Sequence, residues 1–278
     1  MPFSEKAPVS AFVLTLNEAK KLEDCLRSLT WCSEIYVLDG GSTDCTLDIA
    51  KKYGAKILQR KFTTFSEQRN WLLDNVNFEN EWLFTLDADE RAPEPLAQEI
   101  AEVVARGGDG YVGFLINRRN YFLGRRIRHS AWYPDRYSRL FRKGSGRYEP
   151  KAVHAELILN GPVSRLKNEF VHYTYDSLAE MLAKFNLYTS MEAQMIVTKY
   201  QESIIWGSFP RGRFWHSLFK RLYDTLSILQ PFLFFFYYFV YKKGFLDGMH
   251  GFLIATINGF FYALVSQMKA WELKHKKR

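Results

Sequence analysis

The chain has 278 residues, of which 47% are hydrophobic and 17% are aromatic, and its net charge is +8. This length allows one large domain, or one domain with an appendage. The three cysteines include no Cys-x-x-Cys pair, which disfavours both a disulfide framework and a zinc site. The first ten residues lack the basic and apolar segments of a secretory signal, so we expect a cytoplasmic protein with reduced thiols.

The positive charge is concentrated in the last part of the chain. Residues 203–278 contain eleven Lys and Arg and three acidic residues, whereas residues 1–202 have no net charge. The basic residues flank two apolar runs, 226–241 and 252–265, and both are shorter than the roughly 20 residues of a membrane-spanning helix. We therefore predict that this region lies on or dips into an anionic membrane surface, with two buried core helices as the alternative. Nucleic acid is disfavoured as a partner, because the basic residues do not line a polar surface.

Predicted strands and helices alternate along the first part of the chain. Hydrophobic periodicity predicts strands over 9–16, 35–39, 55–59 and 82–87, and helices over 19–29, 44–53, 66–75 and 95–105. Such alternation implies right-handed crossovers and a mostly parallel sheet. After Gly107-Gly108 the rhythm changes, with predicted strands over 111–118, 137–141 and 153–159 and a long helix over 176–200. We expect an α/β domain over residues 1–202 and a basic, aromatic-rich helical region for membrane association over 203–278.

Acidic residues follow two of the predicted strands. Asp87 and Asp89 come directly after an apolar run, and Asp39 ends another run and precedes Gly40-Gly41-Ser42. Because the carboxyl ends of parallel strands meet at one edge of a sheet, we expect these carboxylates to lie close together. Paired acids in this position indicate a bound cation, so the pattern predicts a nucleotide diphosphate held through a divalent metal. For the Asp-Ala-Asp-Glu sequence alone, a solvated turn before a helix is the alternative.

Ordered motifs along the chain resemble those of a known enzyme family. Four of them are similar to motifs of family 2 glycosyltransferases with the GT-A fold, namely Thr15-Leu16-Asn17-Glu18, Leu38-Asp39-Gly40-Gly41-Ser42-Thr43-Asp44, Ser66-Glu67-Gln68-Arg69-Asn70 and Leu86-Asp87-Ala88-Asp89-Glu90. Later motifs, at 118–124, 132–135, 139–142, 153–154, 161–163, 172–173 and 243–248, resemble the branch that adds glucose to the lipopolysaccharide inner core. The resemblance implies an α/β protein with a Rossmann-like, mostly parallel sheet, flanking helices and membrane-associated C-terminal helices.

The resemblance also implies roles for individual residues in binding a UDP-sugar. Asp39 would accept a hydrogen bond from the uracil N–H, Asp87 would lie near the ribose and metal-bound water, and Asp89 would bind Mg²⁺ or Mn²⁺ between the two phosphates. The metal is thus assigned to Asp87 and Asp89. The other residues assigned to the donor site are Thr15, Asn17, Glu18, Gly41, Ser42, Gln68, Arg69 and Arg139. For Gln68 and Arg69 a solvated helix face is the alternative, and Arg142 is a further candidate for contact with phosphate.

One departure from the family pattern concerns the base that activates the acceptor. Relatives commonly have His-Glu directly after the valine, whereas here the order is Val153-His154-Ala155-Glu156. A shift by one residue on a strand would turn the carboxylate to the other face. Asp135, Glu156 and His154 are therefore rival candidates, and we favour Asp135 because Pro134 stiffens the loop in which it stands.

The activity implied by the resemblance is an inverting transfer at the cytoplasmic face of the inner membrane. A carboxylate would deprotonate an acceptor hydroxyl, which would attack the anomeric carbon of a UDP-sugar, with glucose favoured. The acceptor would be a lipid-linked saccharide such as the lipopolysaccharide core. Two alternatives stay open: transfer to polyprenyl phosphate, which needs no base, and a nucleotide-sugar-binding module without catalysis, which the retention of both Asp87 and Asp89 disfavours.

Overall fold

A computed structural model describes residues 5–150, 155–197 and 229–275. These residues divide into two compact units. The first contains the described residues up to 119 together with those of 135–173, and the second contains 120–134 and the described residues from 174 onward. The helix over 178–197, which the sequence analysis places in the catalytic domain, therefore belongs to the second unit.

The secondary structure follows the predicted alternation. In chain order the strands are β1 (Ala7–Thr15), β2 (Cys32–Asp39), β3 (Lys56–Gln59), β4 (Trp82–Asp87), β5 (Glu90–Arg91), β6 (Gly113–Phe122), β7 (Arg125–Arg126), β8 (Arg136–Arg142), β9 (Gly146–Tyr148), β10 (Leu157–Leu159) and β11 (Val163–Tyr175). The helices are α1 (Ala19–Arg27), α2 (Thr46–Lys52), α3 (Phe65–Asn75), α4 (Glu94–Ala105), α5 (Leu178–Val197), α6 (Gln230–Phe236), α7 (Gly248–Ile254) and α8 (Tyr262–His275).

The sheet of the first unit has a parallel half and a mixed half. β2 and β4 pair in parallel with β1 on either side, and β3 pairs in parallel with β2. β8 pairs antiparallel with β4, β6 pairs antiparallel with β8, and β11 and β5 complete the order. The predicted α/β fold is confirmed, and the carboxyl ends of β1, β2 and β4 meet the amino end of β8 at one edge.

The central strands are buried on both faces, as the predicted apolar runs require. Because successive side chains of a strand point to opposite faces, neighbouring residues belong to different cores. Val13 packs in the core that contains side chains of α1 and α4, whereas Phe12 packs in the core that contains Leu72 of α3. Both cores fix the strand ends that carry the acidic residues.

Strand β11 is not predicted by the sequence pattern. A half-buried strand is recognised by alternating apolar and polar residues. In β11 this alternation is interrupted by polar residues that pair with polar residues of β6. Glu169 accepts hydrogen bonds from Asn117 Nδ2 at 2.9 Å and from Arg119 Nε at 2.8 Å. Of the predicted strand 153–159, the structure forms β10 over Leu157–Leu159, while 151–154 lie outside the described residues.

One buried carboxylate of the first unit is structural. Glu34 on β2 accepts hydrogen bonds from Tyr36 Oη and Lys56 Nζ, both at 2.7 Å, and from the Ser10 hydroxyl. Burial favours the neutral acid, but the ammonium and the hydroxyl groups outweigh this effect and lower the pKa of Glu34 below its ordinary value.

We expect Glu34→Gln to lower the free energy of unfolding at pH 7 by about 1.5–3 kcal/mol, the range for hydrogen bonds to a charged group. Since the pKa is lowered in the folded state, the contribution is present above the unfolded pKa and is lost as pH falls through the folded pKa. Urea unfolding at pH 7 and pH 3 measures this, with Glu79→Gln as the control. Glu79 binds the same Lys56 but its side chain is 71% exposed, so its loss should cost little. Equal stability of both variants at pH 7 would contradict the assignment.

The second unit contains the end of β6, the short strand β7, the end of β11 and the C-terminal helices. Its helix α5 packs with α8: Lys269 Nζ donates hydrogen bonds to the Asn186 carbonyl and to Thr189 Oγ1, each at 2.8 Å. The ring of Phe185 also meets that of Tyr262 edge to face. These contacts explain why the helix over 178–197 is not part of the first unit.

The C-terminal helices differ from the prediction in length. A short turn, α7, a π-helical segment and α8 follow one another over Gly244–His275, 32 residues, and Gly248 has a non-helical φ of 62° where the turn meets α7. The helical stretch from Gly248 to His275 is about 42 Å long at 1.5 Å per residue, against about 30 Å of bilayer hydrocarbon. Among the described residues it is the one helix long and apolar enough to cross a membrane, by length and composition only. The run 252–265 is therefore part of a longer helix, and the argument that it is too short to span is wrong.

Candidate active site

The loops after β1 and β2 are joined by hydrogen bonds. The Asn17 side chain accepts from the Thr43 backbone N–H at 2.8 Å, and the Asn17 N–H donates to Ser42 Oγ at 2.8 Å. The Glu18 N–H donates to Thr46 Oγ1 at 3.0 Å. Asn17 has φ 55°, a left-handed conformation that Asn tolerates better than most residues. The structure thus brings the predicted donor residues Asn17, Glu18 and Ser42 together.

Asp39 is fully buried at the end of β2. Its Oδ2 accepts from the N–H groups of Gly41 and Ser42, both at 3.0 Å, and its Oδ1 accepts from the Ser42 hydroxyl. Gly41 supports this curled loop because its φ is 107°. Thr15 lies opposite Asp39 in the strand pair, and its hydroxyl is buried without a hydrogen-bond partner in the described structure. A buried hydroxyl without a partner is available for a hydrogen bond to a bound molecule.

Asp87 lies between two buried arginines. Arg69 of α3 donates to Asp87 Oδ1, and Arg139 of β8 donates to Asp87 Oδ2 at 3.2 Å. Arg139 also donates to Glu90 at 2.6 Å, and Glu90 accepts from the Asp87 N–H at 2.9 Å. Burial opposes ionisation of Asp87, but the two guanidinium groups outweigh it and hold the pKa of this carboxyl well below its usual range. Asp87 is therefore an anion whose position is fixed from two sides.

The other predicted donor residues have different surroundings. Gln68 and Arg69 are buried, so they do not form a solvated helix face. Gln68 holds the loop after β3, since its Nε2 donates to the carbonyls of Arg60 and Lys61. Arg142 lies at the opposite edge of the sheet, because it pairs with Trp82 at the start of β4 and donates to the Gly107 carbonyl at 2.6 Å. Arg142 therefore lies away from the β4 carboxyl end, and its contact with a phosphate of the donor or the acceptor stays a prediction.

Asp89 and His172 form a pair that the residue assignments missed. His172 Nε2 lies 3.4 Å from Asp89 Oδ2, because β11 pairs with β5 and places His172 opposite Glu90. The Tyr173 N–H donates to the Asp89 carbonyl at 3.0 Å and fixes the turn. The His172-Tyr173 motif was the available signal, but its position beside Asp89 depends on the register of β11.

The Asp89 and His172 side chains fit a divalent cation as a partial site. A carboxylate oxygen is a preferred ligand of Mg²⁺ and Mn²⁺, and an imidazole nitrogen is accepted by transition metals. Within the described part of the chain, no group of three or more His, Cys, Asp or Glu side chains could hold a metal by itself. Two protein ligands leave most coordination positions open, which suits a cation shared with diphosphate oxygens.

The three candidate bases differ in how they are held. Asp135 precedes β8, and its Oδ2 accepts from Arg118 Nε at 2.9 Å and lies 2.7 Å from Arg118 Nη2. Its backbone N–H donates to Asn117 Oδ1 at 3.0 Å. Glu156 is exposed beside β10. His154 lies outside the described residues. Asp135 is therefore a half-buried carboxylate in a fixed orientation, as a positioned base requires.

Comparison with known proteins agrees with this geometry. Residues 10–157 match the family model of glycosyl transferase family 2. The lipopolysaccharide core biosynthesis glycosyltransferase LpsC of Rhizobium meliloti is 30% identical in an alignment of 199 residues that covers 69% of this chain and 73% of LpsC. An uncharacterized glycosyltransferase of Rickettsia conorii is 25% identical over 284 residues, covering 96% of this chain and 92% of its own.

The solved structures that resemble this chain are more distant. Residues 1–349 of Staphylococcus aureus TarS align with a TM-score of 0.44 and 15% identity, over 95% of this chain and 88% of that one. Glucosyl-3-phosphoglycerate synthase of Mycobacterium tuberculosis, in complex with Mn²⁺, UDP and glucosyl-3-phosphoglycerate, aligns with a TM-score of 0.34 and 22% identity, over 41% of this chain and 44% of that one. The family match over 10–157 includes β1 to β4 and the acidic strand ends described above, and the chain is accordingly a glycosyltransferase of family 2 with the GT-A fold.

Proposed function

We propose that the chain transfers a sugar from a UDP-sugar, with glucose favoured, to a lipid-linked saccharide of the lipopolysaccharide core. The observation that carries this proposal is the Asp89–His172 pair next to the Asp87 cluster at the carboxyl edge of the sheet. A carboxylate and an imidazole in this position provide a place for a cation that a diphosphate can share. The name of LpsC supports a core saccharide as the acceptor.

The donor nucleotide would occupy the joined loops after β1 and β2. An ionised carboxylate has about four lone-pair sites, so Asp39 can accept a uracil N–H in addition to its bonds with the Gly41 and Ser42 amides. The Thr15 hydroxyl, buried beside Asp39, gives a second polar group to the same pocket. Asn17 and Glu18 would line its mouth.

The diphosphate would lie over Asp87 and Asp89. A bound Mg²⁺ or Mn²⁺ would offset the charge that develops on the leaving diphosphate. Asp89 and His172 would hold the cation, and Asp87 would orient the ribose and bound water while Arg69 and Arg139 keep it ionised. The two arginines thus act through Asp87, since their Nη2 atoms already donate to it.

The acceptor hydroxyl would be deprotonated by Asp135. Asp135 and Arg139 are four positions apart in the chain, which is about 14 Å at roughly 3.4 Å per strand residue. That span leaves room for a sugar ring between the diphosphate and the base. The hydroxyl would then attack the anomeric carbon from the side opposite UDP, and a single displacement inverts the configuration at that carbon. Glu156 is the rival base.

We further propose that the enzyme works at the cytoplasmic face of the inner membrane. The support is the apolar helix Gly244–His275 and the concentration of all the net positive charge after residue 202. Anionic headgroups attract such a segment, and a lipid-linked acceptor is confined to the same surface.

Product analysis tests this function. Purified protein is incubated with a panel of UDP-sugars and extracted lipid acceptors, and the products are identified by mass spectrometry. A lipid oligosaccharide that gains one hexose supports the proposal. Formation of polyprenyl-phosphate hexose supports the alternative in which the acceptor is already ionised, and a panel without any product contradicts both.

Asp39→Ala is expected to weaken UDP binding by about 10- to 150-fold, because a hydrogen bond to a charged group contributes roughly 1.5–3 kcal/mol. Titration calorimetry with UDP and Mn²⁺ measures the change. Asp39→Asn keeps the side-chain volume and one acceptor oxygen for the loop, so it separates loss of the charge from collapse of the loop. Unchanged UDP affinity in both variants would refute the role of Asp39.

A further inference from the structure

The turn between the last two helical stretches exposes apolar side chains. We call residues 241–249 the C-terminal tip. Tyr241, Phe245, Leu246 and Met249 are 65%, 49%, 54% and 66% exposed. Large apolar side chains that cluster on a surface mark a site of interaction. These side chains therefore form a surface suited to contact with an apolar partner.

The C-terminal tip is a closely packed turn. A Cβ at Gly251 would lie 1.9 Å from the Gly244 carbonyl oxygen, and a Cβ at Gly244 would lie 2.7 Å from the Tyr238 carbonyl oxygen. Only glycine permits these approaches. Lys243 takes a left-handed φ of 56°, and the Lys242 N–H donates to the Tyr237 carbonyl at 2.8 Å. The backbone thus fixes which side chains point outward.

A basic loop of the same unit is bonded to the tip. The N–H groups of Arg128 and His129 donate to the Asp247 carboxylate at 3.2 and 2.8 Å. The Ser130 N–H donates to the Lys242 carbonyl at 3.1 Å. Asp247 is buried, so its charge is used inside the turn. Arg125 and Arg128 are exposed, and they accompany Lys242 and Lys243 around the apolar side chains.

We propose that the C-terminal tip inserts into the headgroup layer of an anionic phospholipid bilayer. Tyr241, Phe245, Leu246 and Met249 would reach the boundary between headgroups and acyl chains, and the surrounding arginines and lysines would bind lipid phosphates. Aromatic and apolar insertion combined with basic residues is the pattern of interfacial membrane binding. The proposal rests on the membrane association stated above and names the surface responsible for it.

The contacts of the tip favour insertion from one side over a span by the helix Gly244–His275. A span would carry Asp247, with its bound loop and the exposed Arg125 and Arg128, across the hydrocarbon, where charged groups are costly. At the other end, Lys269 donates to Asn186 and its neighbours within the protein. Both ends of the helix are thus tied to polar groups of the second unit.

Two methionines of this helix provide a matched test of the apolar contact. Met249 in the tip is 66% exposed and Met268 is 60% exposed, and they are separated by about 28 Å of helix. We expect Met249→Glu in the full-length protein to reduce flotation with phosphatidylglycerol vesicles by about tenfold, because a charge replaces an inserted apolar group. Met268→Glu should float like the wild type.

Two lysines test the contact with phosphate in the same way. Lys243→Gln should weaken binding to phosphatidylglycerol vesicles by about fivefold, the effect of one basic residue near an anionic surface. Lys274→Gln, at the far end of the helix, should leave it unchanged. Neither lysine variant should alter the weak binding to phosphatidylcholine vesicles. UDP affinity, measured for every variant, should stay at the wild-type value and verifies the fold.

The outcomes separate the two proposals. If Met249→Glu and Met268→Glu lose vesicle flotation equally, insertion through the tip is overturned. The helix would then lie flat on the membrane or span it. If the Met249→Glu variant floats with the vesicles as well as the wild type does, the proposed insertion of the tip is also overturned. A wild type that binds UDP but no vesicle would refute membrane association and the tip together, whereas hexose transfer to a solubilised acceptor reports on the transferase function alone. If the wild type is a dimer in solution and the Met249→Glu variant is a monomer, the tip is instead an interface between two copies of the chain.

Discussion

Asp89→Asn is expected to lower turnover by about 10²–10⁴-fold, because the neutral amide is a poor ligand for a hard divalent cation and several kcal/mol of charge stabilisation are lost. UDP affinity should fall in the presence of Mn²⁺ and stay unchanged without it. Asp48→Asn is the control, since its side chain is exposed on α2 and binds only the exposed Lys51 in the described structure. Full turnover of Asp89→Asn, or of the wild type in excess EDTA, would contradict the assignment.

The Asp89–His172 geometry sharpens this experiment. If His172 is the second ligand, His172→Asn should raise the Mn²⁺ concentration needed for half-maximal activity while leaving turnover at saturating Mn²⁺ close to the wild type, because Asp89 remains. A lower turnover with the same Mn²⁺ requirement would instead assign His172 to the positioning of the Asp89 turn.

Asp135→Asn should lower turnover by about 10²–10⁴-fold, the contribution of a positioned general base, with little change in UDP-sugar affinity. Loss of the ion pair with Arg118 is a side effect, and Glu169→Gln controls for it because Glu169 makes a similar pair with Arg119. Glu156→Gln is measured in parallel.

Three results would reassign the base. Wild-type turnover of Asp135→Asn together with loss in Glu156→Gln would make Glu156 the base. If Glu169→Gln loses as much turnover as Asp135→Asn does, the effect of the Asp135 substitution is structural. Full activity of both carboxylate variants would favour an acceptor that is already ionised, such as polyprenyl phosphate.

The parallel half of the sheet could be predicted because its strands are short apolar runs, two of which, β2 and β4, end at an acidic residue. The burial of Val37 and Leu86 in a core follows from the local apolar pattern, without knowledge of the residues they contact. The contacts of the site could not be predicted in the same way. Arg139 and Asp87 are 52 residues apart in the chain, and they meet only through the antiparallel register of β8 on β4.

The C-terminal region shows how glycine and proline can be misread. Pro231, which the sequence places inside an apolar run, lies in the first turn of α6, where its missing N–H costs nothing. Asn258-Gly259 reads as a break, yet the helix continues through it. A Cβ at Gly259 would lie 3.2 Å from the Phe234 carbonyl oxygen, so this glycine serves a close helix contact. Such a contact depends on tertiary packing that local patterns do not contain.

The hydrogen bonds between the loops after β1 and β2 have a consequence for nucleobase selection. Asn17, Thr43 and Ser42 hold one another in place through hydrogen bonds. The conformational entropy of these loops is therefore lost when the chain folds and not when a nucleotide binds. We expect walls ordered in this way to limit how far the proposed nucleobase pocket can widen for a larger base. Pyrimidine nucleotides are then expected to bind more tightly than purine nucleotides.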